Sequence, residues 1–569
     1  MNTPKHRRNR LQFLKESTLL LTGSVFIPDL LSATLRHTRI YPKLMSGAAI
    51  SVKIMLPQRA TEKEQQAGEV LLRYLSALPN STIELLTETA PLGVFTIYLG
   101  DTLQSRKKKM NTALLEEDGF ESIAETDQIL LAGGSGKGLL YAVYDLLTAL
   151  GFKKYGIEKA QLPALQTIAL PPQGKRVNPK IQYRTTSYSQ MADQEYADWQ
   201  RLSSRNEWGL FVHTFNTLVP FKEYGETHPE YYSLIDGVRR PGTQLCLSNP
   251  DVLKILIENL KSRIAEKPDA KYWSVSQDDN DRYCTCDKCK QLNAQYGSVP
   301  SGSIIWFVNQ VARAIPERII STLAYWYSRK APKNIQIEPN VNIMLCNIES
   351  SREAPVFVTD KAFSNDLKDW GALSKNILIW DYNIQFTNFV SPFPNLFTIK
   401  PNIKFYTENN VTALFMQANN EPSAEMALLR SYLISQLMWD PEADENILIN
   451  EFLNGYFGPA GKFIRQYINS MQGSLTKSGM RLSIFGDPVD AKEAYLSHEM
   501  MTLYNRLFDE AEKSVVDNEE LLNRVQTARL PLMYAQIQIG RTEADTPRSL
   551  FYKNNKGLVA VKKDMIELI

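Results

Sequence analysis

Tyr272-Trp273-Ser274-Val275-Ser276-Gln277-Asp278-Asp279-Asn280-Asp281 sets a short apolar strand, Tyr272–Ser276, directly ahead of a run of acids. A buried strand that ends in charge is the pattern of a parallel sheet whose carboxyl edge carries function, because βα loops collect there. A helical period precedes it at Asp251–Ala265, and another follows at Ser301–Ile315 before the next apolar run, Ile320–Tyr325. The alternation continues in both directions. Candidate strands are Ile181–Thr186, Leu210–His213 and Gln244–Leu247 on one side, and Asn342–Asn347, Ile377–Asp381 and Thr412–Gln417 on the other. Further helices are read at Gln194–Trp208, Lys361–Leu373 and Ser423–Met438. Eight strands joined by helical crossovers predict a parallel sheet sheathed by helices, and eight is the number that closes a barrel. The expected class is α/β, a (β/α)8 TIM barrel over residues 178–440.

Ahead of the barrel the pattern predicts a small α/β domain over residues 45–170. Ile50 to Pro57 alternates as a strand, and Thr61 to Leu78 reads as a helix that Thr61 can cap with Glu64 three residues on. Phe95–Gly100 and Gln128–Ala132 are further strands. The second enters Gly133-Gly134-Ser135-Gly136-Lys137-Gly138 and then a helix from Leu139 to Leu150. In a phosphate loop the lysine follows the last glycine and a Ser or Thr comes next. Here Lys137 precedes Gly138 and Leu139 follows, which indicates a tight strand-to-helix turn instead. Pro163, Pro171, Pro172 and Pro179 suggest a linker out of this domain. Beyond Asp440-Pro441 the periods are helical, giving a helical domain over 441–569.

Residues 1–35 read as a secretory signal: Lys5, Arg7, Arg8 and Arg10, then an apolar run from Leu19 to Ile27, then Ser32-Ala33-Thr34. Arg10-Leu11-Gln12-Phe13-Leu14-Lys15 resembles a twin-arginine signal with Leu11 in place of the second arginine. The apolar run is too short to span a bilayer stably, so no integral membrane segment is expected in the mature chain. It is expected to be exported, to the periplasm or the cell surface. Lys+Arg number 64 against 62 Asp+Glu, which leaves none of the basic surplus that phosphate neutralisation requires and disfavours a nucleic-acid partner.

Polar residues at strand ends carry the functional expectation. Asp278 and Asp279 follow the Tyr272–Ser276 strand, Glu349 ends Cys346-Asn347-Ile348-Glu349, and Asp381 ends Ile379-Trp380-Asp381. The last strand runs into Gln417-Ala418-Asn419-Asn420-Glu421, with Glu425 one turn on. Glycoside cleavage needs such an inventory: one carboxylic acid to protonate the leaving oxygen, a second carboxylate to activate water or attack. Asp278, Asp279, Glu349 and Asp381 are therefore the candidate catalytic acids. His213, Tyr325, Trp326, Trp380, Tyr382 and Glu425 are candidates for holding a carbohydrate substrate, with His228 a weaker one. The alternative is a carbohydrate-binding barrel without catalysis. No cofactor is expected for catalysis.

Cys284, Cys286 and Cys289 fall within six residues, and Cys246 is a plausible fourth partner. Four thiolates suit a structural zinc, whereas in an exported protein a Cys284–Cys289 or Cys246–Cys286 disulfide competes. In either form the cluster would pin the loop that presents Asp278 and Asp279.

Several of these motifs in one order resemble the bacterial domain-of-unknown-function family numbered 4838. They are His228-Pro229-Glu230-Tyr231-Tyr232, Gln244-Leu245-Cys246-Leu247, Tyr272 to Asn280, the cysteine cluster, Ser301-Gly302-Ser303, Phe307-Val308-Asn309, Ile379-Trp380-Asp381-Tyr382 and Leu437-Met438-Trp439-Asp440-Pro441. The segment through Gly134 and Gly138-Leu139-Leu140-Tyr141-Ala142-Val143-Tyr144 is similar to the small domain that precedes the barrel in alpha-glucuronidases and beta-hexosaminidases. The resemblance implies a barrel of the glycoside hydrolase superfamily. Beta-hexosaminidases place an Asp-Glu pair after strand four, where this chain has Asp278-Asp279.

Overall fold

The computed structural model describes residues 39–40, 50–88, 95–163, 169–170, 174–418 and 424–542. The expected export segment and Asn419-Asn420-Glu421 lie outside the described residues.

The first domain is a mixed six-stranded sheet. Its strands are β1 (Ile50–Leu56), β2 (Ser81–Thr87), β3 (Phe95–Leu99), β4 (Phe120–Ala124), β5 (Gln128–Gly133) and β6 (Lys175–Val177), in the order β2-β1-β3-β5-β4-β6. Helices α1 (Glu62–Ser76) and α2 (Gly138–Ala149) cover it. Thr61 and Glu64 close a reciprocal capping box at the start of α1, as their spacing predicts, and Leu71 and Leu75 face the sheet. The glycine run is a turn under close approach. A Cβ on Gly138 would lie 1.9 Å from the Gly119 carbonyl oxygen, and one on Gly133 2.0 Å from the Leu139 nitrogen. Lys175–Val177, in the stretch expected to be linker, is instead an antiparallel edge strand on β4; three residues carry too little periodicity to be read locally.

The barrel sheet consists of β7 (Tyr183–Thr186), β8 (Trp208–Leu210), β9 (Tyr272–Ser274), β10 (Ile319–Ala324), β11 (Val341–Cys346), β12 (Ile377–Tyr382) and β13 (Val411–Gln417). All are parallel, in the order β8-β9-β10-β11-β12-β13-β7. Seven strands stand where eight were expected. β8 pairs directly with β9, and Gln244–Leu247 lies outside the sheet, where Leu245 forms an isolated antiparallel bridge with Tyr232. The side chains of Gln244 and Cys246 are committed to loops above the barrel, which holds that segment off the ladder. β7 and β8 meet through the rings of Tyr183 and Trp208, 6.1 Å apart, and Ser203, ahead of β8, bonds to β7: its amide donates to the Arg184 carbonyl (2.8 Å) and its Oγ accepts from the Arg184 amide (3.1 Å). Phe211, Trp380 and Phe415 meet inside the barrel with ring centroids 5.0–5.7 Å apart.

Helices α3 (Gln194–Trp199), α4 (Pro250–Glu266), α5 (Asp287–Gln295), α6 (Ser301–Ala314), α7 (Lys361–Leu373), α8 (Leu396–Thr407) and α9 (Ala427–Trp439) form the outer layer. α3 is shorter than its apolar period suggests, because Arg201 takes a left-handed backbone (φ +58°) that ends the turn. After the barrel come α10 (Glu445–Phe457), α11 (Gly461–Ser478), α12 (His498–Lys513) and α13 (Glu519–Thr542). Phe452, Tyr467 and Phe508 of these helices belong to the same buried core as the barrel, whereas the first domain buries its own. Among the described residues no helix is long and apolar enough to cross a membrane.

Gly209 in β8 lets the fully buried Trp273 of β9 lie across it: a Cβ there would meet the indole at 2.2 Å. Gly209→Ala is expected to cost about 1–3 kcal/mol by overpacking, read as a lowered denaturation midpoint. An unchanged midpoint would contradict this packing.

Candidate active site

β9 ends at Ser274, and the chain passes through Val275 and Ser276 to Gln277 and Asp278 at the carboxyl mouth. Gln277 donates to the Tyr325 carbonyl (2.9 Å) and to Ser328 Oγ (2.8 Å), locking this loop to the one after β10. Gln244 clamps it from the other side. Its Nε2 donates to the carbonyls of Asp278 and Asn280 (both 2.7 Å), and its Oε1 accepts the Asp278 amide (3.0 Å). The Asp278 backbone is thus fixed on both faces. Its carboxylate, by contrast, receives one long hydrogen bond, from the Asn216 amide at 3.3 Å. Burial raises the Asp278 carboxyl to about 7, and the Asn216 bond only partly opposes it. Tyr327, stacked on Tyr283 at 4.8 Å, lies close enough to feel its charge.

Asp279 is exposed, and its charge reaches the Tyr325 phenol. Burial first, then the charges of Asp279, Cys346 and Glu349, hold the Tyr325 phenol above its usual range, so both carboxylates lie near one ring. Glu349 is exposed and pairs with Arg329 at 3.1 Å; Arg329 also holds Asp366 at 2.8 Å. A cleft of about 460 Å³ opens here, lined by Trp326, Arg329, Glu349, Ser350, Asp360 and Arg481 among others. Trp326 is exposed and stacks on Tyr325 with centroids 4.8 Å apart. His213 Nδ1 lies 2.9 Å from the Gln277 carbonyl and donates to it, which fixes the orientation of the ring. His213 and Trp326 both take left-handed backbones (φ +56° and +52°), a cost non-glycine residues bear where the surroundings dictate it.

Two expected acids are elsewhere. Asp381 is buried, accepting from Asn347 Nδ2 (2.8 Å) and the Tyr406 hydroxyl (2.9 Å), with Arg352 at 3.9 Å. Tyr406 belongs to α8, so Asp381 faces the helical layer and not the mouth. Trp380 and Tyr382, its neighbours in β12, face the other way and stack at 5.8 Å. Trp380 is an interior ring, with its indole N–H on Gln417 Oε1 (2.6 Å), and Tyr382 is buried beneath Arg352. Glu425 is buried and paired with Arg430, which also donates to backbone carbonyls and Asn395. It is a structural ion pair. His228 is exposed, bonded to Glu230 and stacked on Tyr231.

An aromatic rim escaped the sequence reading. Phe386 and Phe389 of the loop after β12, and Phe485 from the segment after α11, are 37%, 37% and 56% exposed, with Phe386 within 6.3 Å of both other rings and of Tyr382. Ile484 and Gly486 carbonyls hold that loop through Phe386, Thr387 and Asn388. No local signal marks the pairing, since the segments are about a hundred residues apart. A second cavity, about 540 Å³, lies at the amino-terminal ends of the strands between the first domain and the barrel, away from this mouth.

Cys246, Cys284, Cys286 and Cys289 come together as expected, with all four sulfurs within 4.8 Å of one another, buried and unpaired as thiols.

A parallel strand–helix sheet behind a small α/β domain, with acids and aromatic rings at its carboxyl mouth, is a TIM-barrel-type fold. The chain belongs to the family described as a domain of unknown function, DUF4838, which matches residues 154–469, more than half its length. It is similar in structure to the GH115 4-O-methyl-alpha-glucuronidase BtGH115A, specific for decorated arabinogalactans, with a TM-score of 0.53 at 11% identity over 92% of this chain and 76% of that one. That likeness shows the fold. The beta-N-acetylhexosaminidase from Bacteroides fragilis NCTC 9343 matches with a TM-score of 0.43 at 12% identity over 74% of this chain and 92% of that one. No curated sequence matches the chain.

Proposed function

We propose that the protein is an exported glycoside hydrolase acting on a poly- or oligosaccharide, with Asp278 as general acid and Glu349 or Asp279 as the partner carboxylate. The observation that carries this reading is Asp278 itself: a carboxyl just beyond the end of a barrel strand, with no Lys or Arg partner among the described residues, raised by burial to about 7. A carboxyl with that affinity for its proton can deliver it to a leaving oxygen at neutral pH, which an ordinary aspartate cannot. Asp279 and Glu349 flank Tyr325 nearby, and Trp326, Phe386, Phe389 and Phe485 offer apolar faces for sugar rings. Carbohydrate is also what the named GH115 neighbour acts on.

The test is a panel of plant and bacterial polysaccharides and their oligosaccharides, followed by release of reducing ends. We expect turnover on at least one member, falling as pH rises through about 7 where Asp278 loses its proton. Phe485→Ala is expected to raise KM for long substrates several-fold and to leave kcat near the parent value, as loss of a stacking surface removes binding alone. The rival reading, a barrel that binds carbohydrate without cleaving it, draws on the Glu349–Arg329 pair and on the burial of Asp381 and Glu425. Binding across the panel with no cleavage at any pH would establish the rival and refute the hydrolase. Export is tested by fractionation, where protein confined to the cytoplasm would refute it.

A further inference from the structure

Four thiols from separate turns of chain meet beside the candidate acid. Cys246 follows a hairpin formed by Leu234–Ile235 and Val238–Arg239, Cys284 and Cys286 lie in the loop after β9, and Cys289 is in the first turn of α5. They form an apolar cluster of their own, against which Leu234 packs as a partly buried hydrophobic neighbour. Four small side chains bury too little apolar area to fold such a knot by the hydrophobic effect. Another source of cohesion is required.

The geometry suits a tetrahedral ion. With metal–sulfur bonds of about 2.3 Å, a tetrahedron has sulfur–sulfur edges of about 3.8 Å. Cys246 and Cys286 sulfurs are 3.7 Å apart, and the widest separation, within 4.8 Å, closes with shifts of under about 1 Å. The surroundings suit thiolates. The Leu234 amide donates to Cys284 Sγ (3.3 Å), Arg239 Nη1 lies 3.9 Å from the same sulfur, and Ser248 Oγ lies 3.3–3.6 Å from Cys246, Cys286 and Cys289. Cys286 is the N-cap of α5, so the positive end of that helix faces the cluster. Four thiolates around a divalent ion leave a net charge of about −2, and these donors offset it.

We propose that Cys246, Cys284, Cys286 and Cys289 bind one zinc ion as a closed four-thiolate site. The ion has no open position and takes no part in the reaction. Its role is positional: Gln244, two residues before Cys246, is the side chain that clamps the Asp278–Asn280 backbone, and the remaining ligands begin four residues after Asn280. The metal therefore ties the far end of the loop that carries the candidate acid to the segment whose Gln244 clamps its middle. That last step rests on the proposed hydrolase reading; the site itself does not.

The full chain, purified without added metal, is expected to contain about one zinc per molecule by elemental analysis. All five cysteines should react as free thiols once it is denatured with chelator. Exchange of zinc for cobalt(II) should produce the visible absorption of a tetrahedral thiolate complex. Cys286→Ser, if it folds, should lose the ion or bind it far more weakly. If it does not fold, chelation of the parent chain is the readout: hydrogen exchange at residues 277–281 should rise while the first domain is unchanged. Absence of metal together with a mass two hydrogens lighter, or iron in place of zinc, would overturn the proposal. So would a metal-free chain with all thiols reduced and full protection of 277–281. None of these readouts depends on finding a substrate, so a failed glycan panel and a failed metal site are distinguishable.

Discussion

Asp278→Asn is expected to lower turnover by two to four orders of magnitude and, at the same time, to stabilise the protein above pH 7. The first effect is that of removing a general acid. The second follows from linkage. Burial raises the native carboxyl to about 7, whereas in the unfolded chain it ionises near the ordinary aspartate value of about 3.9. Between those values the native state retains a proton that the unfolded state has lost, so stability falls as pH rises across that window. Above 7 the native state carries the full cost of a poorly solvated carboxylate, on the order of 2–4 kcal/mol. Asparagine has nothing to ionise, matches the shape, and its Oδ1 can still accept the Asn216 amide. Thermal unfolding at pH 5 and pH 8 should show the variant's advantage growing with pH. An advantage independent of pH, or a variant less stable at pH 8, would remove the argument that Asp278 is held at a cost for function.

Arg430→Met is the structural counterpart, expected to destabilise by about 3–5 kcal/mol. Arg430 is buried in α9 and reaches five acceptors: the Glu425 carboxylate and carbonyl, Asn395 Oδ1, and the carbonyls of Phe393 and Asn383. Methionine fills similar volume but leaves a buried carboxylate without a counter-charge and carbonyls without donors. The double variant Arg430→Met, Glu425→Leu should recover part of the loss, since it removes the orphaned charge as well. A double variant no more stable than the single one would show that the carbonyl bonds, not the ion pair, dominate. The acceptors flank residues 383–395, the loop that carries Phe386 and Phe389, so the same substitution loosens one side of the mouth.

The barrel was largely legible because its strands and helices are set by apolar periods among near neighbours. β10, β11, β12, β13, α6 and α7 all fall within a residue or two of their expected bounds. Gln244–Leu247 has a strand's alternation, yet its polar face is claimed by Asp278 and by thiols, and no local pattern reveals that competition. Asp381 was misread for a reason the sequence did contain. Trp380, Asp381 and Tyr382 are successive residues of one strand, and a two-residue period cannot aim all three at one cavity. The aromatic rings took the inner face, which sends the carboxylate outward to Asn347 and Tyr406.

Local order along the chain thus determined the barrel, the capped first helix, the turn at the glycines and the thiol set, since each depends on residues close in sequence or on composition. Tertiary structure alone decided which acids meet solvent, which are locked by arginine, and that Asp278 is desolvated enough to keep its proton. Burial and electrostatic neighbourhood come from segments far apart in the chain, such as Gln244 on the Asp278 backbone and Asn216 and Tyr327 near its carboxyl, and no period records them.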